Sequence, residues 1–400
     1  MGLSSGKPLH ARDRDVSRGA DDPRKALHFR LRSAARRLIP ALAALCLSAT
    51  LARSESRDPS ETLRLAIWNV GLERRGPGLL LRDIEAGKDQ QIAAILAVLL
   101  RLDADILVLT GMDHDPELHA LSALALRLQA AGLAYPHRYA PPSNSGQPTG
   151  FDVDGDNRLN EPEDAQGWGP FPGAGGIAIL SQLPLLDDQA QDFSGFLWRD
   201  LPQANLPPGM DPGLAEIQRL SSHSHLILPV LLPGGTQLSL LIWHATPPAF
   251  DGPEDRNGRR NADEAAFWLH LLNGGLAMPT PAPPFVLLGD ANLDTLDGDG
   301  RPDALRALMN HPALTDPAPR GTHGRTEPGH KGDPALDTAI YSDLGGLRLD
   351  YLLPSHELDI LASGVLWPPD NDPFASTLAT ASHHYPVWVD LSLPPMTPGP

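Results

Sequence analysis

Three stretches hold residue types that do chemistry. In VLLGDANLDTLDGDG, an apolar run ends at Gly289, and Asp290, Asn292, Asp294, Asp297 and Asp299 follow within ten positions. Carboxylates repel one another, so such density either faces water or holds cations. In DVDGDNRLNEPE, the oxygen-bearing side chains of Asp152, Asp154, Asp156, Asn160 and Glu163 stand at positions 1, 3, 5, 9 and 12. That is the ligand spacing of a calcium loop with Glu163 as its bidentate end, and Asn157 tolerates the left-handed backbone where such loops carry glycine. The flanks are Gly/Pro-rich rather than helical, and an exposed acidic loop is the competing reading. In FDGPEDRNGRRNADE, Arg256, Arg259 and Arg260 form the densest basic cluster of the chain. Arginine forks suit phosphate oxygens, which suggests a substrate-binding loop; pairing with Asp251, Glu254, Asp255 and Asp263 is the alternative.

Other polar residues recur where apolar runs stop: Asn69 after LRLAIW, His244 after QLSLLIW, Asp290 with Asn292, Asp350 in LRLDYLLP, and His384 before PVWVDL. The runs read as strands. LRLAIWNV, DILVLT, GGIAILS, SHLILPVLL, QLSLLIWHA, PFVLLGD, LRLDYLLP and PVWVDLSL have strand length and composition, whereas 89–102, 116–132 and 262–274 carry helical spacing of apolar residues. Strands alternating with helices imply an α/β layered domain, and strand ends gathered on one edge are where such folds place sites. Asp297-Gly-Asp299-Gly-Arg301-Pro-Asp303 repeats the alternate-acid spacing without a twelfth position, giving a weaker cation site or a capped helix start at Asp303.

Composition limits the partners. The chain has 400 residues, 41% of them hydrophobic, with 42 prolines, 37 glycines and a formal charge of −17. Residues 1–52 are basic, with ten Lys/Arg against four Asp/Glu, so the remainder is more acidic still. An acidic body offers no broad basic face to a phosphate backbone, which disfavours nucleic acid without excluding it. Within 1–52 a basic stretch precedes LIPALAALCLSATLA, the pattern of an export signal, with Thr50-Leu51-Ala52 offering small residues for cleavage. The apolar run is short for a membrane span. Cys46, the single cysteine, follows Leu45, where a lipoprotein signal would want a small residue. The expectation is a periplasmic or secreted protein without stable membrane association. The main domain is expected at 60–394, with an acidic insertion at about 141–175 and a loose tail at 395–400.

The ordered set IWNV, DILVLT, GGIAILS, LLIWHATPP, LLGDANLD, LRLDYLL and SHHYPVWVDL resembles the endonuclease/exonuclease/phosphatase superfamily from about Leu63 to Leu393. The resemblance implies a deoxyribonuclease-like, four-layer α/β sandwich of two central mixed β-sheets flanked by helices. It also implies attack of water on a phosphoester with a divalent metal. Asp290 would deprotonate or orient the water, Asn292 bind phosphate or metal, and Asn69 hold a metal or phosphate oxygen. His384 paired with Asp350 would stabilise the phosphoryl oxygens, and His244 would serve as a second acid. The family pattern places a metal-binding Glu just after the second strand, in a run like LQE; Gly111 stands there in LTGMDHD. It places Asp before the last histidine, where this chain has His383. Asp113 or Asp115 is then expected to fill the vacancy. Magnesium or manganese is expected as the metal, with zinc possible because His383 can itself ligate softer ions. The implied activity is hydrolysis of a phosphomonoester or phosphodiester. A secreted nuclease is one alternative, and a non-catalytic, calcium-stabilised binding protein with a degenerate metal site is the other.

Overall fold

The computed structural model describes residues 61–393. The export segment and the tail expected at the two ends lie outside the described residues. Strands β1 (Thr62–Leu72), β2 (Ile106–Met112), β3 (His137–Tyr139), β4 (Gly176–Ser181), β12 (Ile360–Val365) and β13 (Val387–Ser392) form one sheet in the order β12-β13-β1-β2-β4-β3. Strands β5 (Gln191–Asp192), β6 (His225–Leu231), β7 (Gln237–His244), β8 (Phe285–Asp290) and β11 (Asp350–Pro354) form a second in the order β11-β8-β7-β6-β5. β9 (Ala339–Tyr341) and β10 (Gly345–Leu347) make a small separate ribbon. Each large sheet contains one parallel pair, β1–β2 or β7–β8, among antiparallel ones, so both sheets are mixed.

Period-two alternation assembles the layers. In β7, Leu238, Leu240 and Ile242 face a core shared with Leu65, Ile67 and Val108 of the first sheet. Leu241 and Trp243, on the opposite face, pack with Phe267 and Trp268 of a helix spanning Arg256–Leu272. Burying both faces of both sheets requires helices outside each. The first sheet is covered by α1 (Leu79–Ala86), α2 (Gln90–Leu102) and α3 (His119–Ala130), whose Leu80, Ile95 and Leu124 enter the shared core. α2 starts where Asp89 accepts from the Ile92 amide, a side-chain cap. α4 (Pro212–Ile217), α5 (Arg256–Leu272), α6 (Asp303–Met309) and α7 (Ala375–Ala381) complete the helices. The four-layer expectation is met. Asp303 is the first helical residue of α6 and makes no side-chain cap, contrary to the expected capped start. No helix among the described residues is long and apolar enough to cross a membrane.

Candidate active site

Register gathers the site. Across the second sheet His244 pairs with Asp290, and Asp290 with Asp350, so three polar residues from β7, β8 and β11 stand side by side at one rim. The first sheet delivers Asn69 from β1 to the same place: its Nδ2 donates to Asp290 Oδ2 over 2.8 Å. His384 arrives on the loop before β13, fixed by neighbours of Asn69. Trp68 Nε1 donates to the His384 carbonyl (2.8 Å), Ser382 Oγ to the Asn69 carbonyl (2.7 Å), and the His384 amide to Ser382 Oγ (3.1 Å). Asn292 bends the chain back at φ 48°, its amide donating to Asp290 Oδ1 (2.8 Å) and its Nδ2 to the Ala245 carbonyl (2.9 Å). Asparagine takes this left-handed conformation more readily than most residues.

His384 Nδ1 donates to Asp350 Oδ2 at 2.8 Å, and its Nε2 lies 2.9 Å from the Tyr341 hydroxyl. Burial alone would strip its charge, but the carboxylates of Asp350 and Asp290 outweigh that and push its pKa up to about 9. Thr338 Oγ1 also donates to Asp350 Oδ2, while Asp350 Oδ1 is buried without a partner. Burial raises the pKa of both Asp290 and Asp350, opposed by the charge of His384. His244 goes the other way. Burial, then the charge of His384, lowers it to about 3, which leaves a neutral imidazole whose Nε2 lies 3.5 Å from Asp290 Oδ2. His223 stacks on the His244 ring, centroids 3.8 Å apart.

Asn69, His244, Asp290, Asn292, Asp350 and His384 are therefore brought together, and other expected residues are not. Asp113 is spent on the backbone, accepting from the Gly175 amide (3.1 Å) and the Arg74 amide (2.8 Å). Asp115 accepts from the first amides of α3, those of His119 and Ala120. Neither moves into the place opposite Gly111. His383 is exposed, its ring stacked on Tyr341, and it lies outside the potential ligand group. The arginine stretch is no loop: α5 starts six residues earlier than its apolar spacing suggests. Arg260 is buried and donates to the carbonyls of Arg219, Leu220 and Ser221. Arg256 donates to Gln218 Oε1 and Arg259 to the Glu254 carbonyl, so the cluster ties α5 to its surroundings. In the 152–163 loop, Asp152, Asp154 and Asp156 bring ligand oxygens within 4.8 Å of one another, all exposed. Glu163 stays outside that group and accepts from Trp168 Nε1, so the expected bidentate end is turned elsewhere. Asp297 accepts from the Lys331 and Gly332 amides, a loop anchor in place of a cation ligand.

Sequence reasoning missed Tyr341, Thr338 and His223. Each lies on a loop or short strand without apolar periodicity, and only tertiary contact gives it a neighbour in the site.

Among solved structures, an endonuclease/exonuclease/phosphatase from Beutenbergia cavernae is 21% identical, covering 84% of this chain and 72% of that one, with a TM-score of 0.49. Sphingomyelinase C from Streptomyces griseocarneus is 15% identical (82% and 99%; TM-score 0.45), and the human Nocturnin catalytic domain 15% (83% and 94%; TM-score 0.43). No curated protein sequence matches. The profile of the Endonuclease/Exonuclease/phosphatase family matches residues 66–387, from within β1 to the start of β13, and the chain belongs to that family.

Proposed function

We propose that this protein is a metal-dependent phosphoesterase that hydrolyses a small phosphomonoester or phosphodiester with an activated water. The observation that carries the reading is one buried rim on which Asn69 orients Asp290 and Asp350 holds a charged His384. The donor set suits a hard divalent cation. Asp290 and Asp350 offer carboxylate oxygens within 4.8 Å of each other and of His384, which in its charged form is no ligand itself, and Asp350 Oδ1 is a buried oxygen with nothing to accept from. Oxygen donors favour magnesium or manganese, and with His383 outside the group the case for zinc weakens. A bound cation would supply neutralisation of the phosphate charge and a lowered pKa for water.

The chain's own groups do the rest. Asp290, held at both oxygens by Asn69 and the Asn292 amide, is placed to accept the water's proton. Asp350 keeps His384 in its charged form, with Nε2 available to a phosphoryl oxygen once Tyr341 yields. His244, held neutral, takes the part of a hydrogen-bonding group rather than the second acid of the deoxyribonuclease resemblance. The acidic body favours a small ester over long nucleic acid. The basic-then-apolar order within 1–52 supports export to the periplasm or beyond, which N-terminal sequencing of the mature protein tests.

The test is hydrolysis of bis-p-nitrophenyl phosphate and p-nitrophenyl phosphate by metal-stripped protein, with magnesium, manganese, zinc or calcium restored singly. Metal-dependent release lost in Asp290→Ala and His384→Ala supports the reading. Silence with every metal, from a folded protein, rejects it in favour of a binding protein that keeps the fold.

A further inference from the structure

Gly111 stands where the family pattern has a metal-binding Glu, and the backbone there has φ 67°, a conformation L side chains avoid. The space a side chain would fill is nevertheless occupied. A Cβ added at Gly111 would run into Asn69 Oδ1 and come within 3.1 Å of Glu73 Oε1. Gly175, at φ 59°, makes room from the other side: a Cβ there would lie 3.0 Å from Glu73 Oε1 and 3.1 Å from its Cγ. Two glycines in left-handed backbone thus leave the room in which the Glu73 carboxylate lies, at a residue that is exposed overall and stands outside the Asp290, Asp350 and His384 group, so that a cation would have to draw it in. Glu73 comes from the loop just past β1, two residues beyond Gly71, and that loop is pinned by the Arg74 amide on Asp113 Oδ2 and by Asp113 Oδ1 on the Gly175 amide. Its carboxylate interacts electrostatically with His384 and with Tyr341, the residues that close the site. No other residue's side chain donates a hydrogen bond to it among the described contacts.

We propose that Glu73 is the relocated metal-ligating carboxylate of this site, reaching from β1 into the position that β2 leaves empty at Gly111. The inference rests on the metal-dependent reading above. It explains why Asp113 is not the replacement: Asp113 holds the loop that presents Glu73. It also gives the site a carboxyl group that the usual position lacks.

The experiment is direct titration of manganese into metal-stripped protein, followed by calorimetry and by the electron paramagnetic signal of free manganese. An Asp154→Asn, Asp156→Asn, Glu117→Gln background removes the two other acidic groups, at 152–156 and 115–119, from the count. Glu73→Gln should weaken the remaining site at least about tenfold, as loss of a ligand exceeds the usual cost of losing a supporting group. Its melting temperature without metal should stay at or above that of the parent, while the manganese-induced rise in melting temperature should shrink. Glu73→Asp, shorter by one methylene, should lose affinity by an intermediate factor. Unchanged manganese affinity in Glu73→Gln, with a parent that binds and hydrolyses, overturns the assignment and leaves the phosphoesterase standing. A parent that binds no manganese in this background overturns both.

Discussion

Two acid-rich regions of this chain look alike as text and opposite in space. The rim around Asp290 and Asp350 sits at strand ends, buried between two sheets, and each carboxylate faces groups from other strands. The loop at 152–163 is exposed, and its acids bond mostly to their own segment: Asp152 accepts from the amides of Gly155, Asp156 and Asn157. Water solvates the loop's charges, although burial and then the neighbouring acids raise Asp154. At the rim, burial raises Asp290 and Asp350, and a charged histidine is held in return. Spacing of carboxylates is therefore weak evidence of a site, and their burial in register is strong evidence.

The largest effect that could break this contrast is on turnover. Asp290→Ala should lower kcat by about three orders of magnitude, the scale of a lost general base, with the melting temperature kept. A loss of less than tenfold would remove Asp290 from the chemistry. The arginine cluster should respond in stability instead. Arg260→Ala takes a donor from the carbonyls of Arg219, Leu220 and Ser221, of which the first and last keep a second one, and should cost about 3 kcal/mol in denaturant unfolding. An unfolding free energy unchanged, with a raised KM, would return Arg260 to the substrate.

A pH profile sharpens the rim's side of the comparison. His384 titrates at about 9 in the fold against 6.5 ordinarily, so its contribution to stability is whole below pH 6.5 and disappears as pH rises to about 9. Activity that needs its proton should fall over the alkaline end of that window. Asp350→Asn should move the limb down by about one unit or more, and a limb that stays put would mean another group sets it. Tyr341→Phe should change kcat only about threefold, because the hydroxyl meets His384 through a single hydrogen bond. Smallest of all, Asp154→Asn with Asp156→Asn should leave kcat within about twofold and stability within about 0.5 kcal/mol, the usual range for exposed sites. A large loss of stability on calcium removal, absent in that variant, would restore the calcium loop.

Apolar periodicity determined β1, β2, β4, β6, β7, β8, β11, β13 and the three longest helices, because burying a strand or helix face leaves a repeat in the residues that do it; the other elements carry too little of one, and the four layers were implied by the family resemblance. Strand-end polar residues such as Asn69, His244, Asp290 and Asp350 were legible for the same reason: each interrupts such a repeat. What periodicity does not encode is which loop reaches where. The start of α5 was hidden because its first turns carry arginines that bond to carbonyls far along the chain. Glu73, Thr338 and Tyr341 sit in segments with no repeat, and their neighbours are tens to hundreds of residues away in sequence. Only the tertiary structure put a carboxylate beside Gly111, through the backbone conformation of two glycines and the anchoring of one loop by Asp113. Contacts of that kind follow from the closed geometry of the two sheets, which no local pattern records.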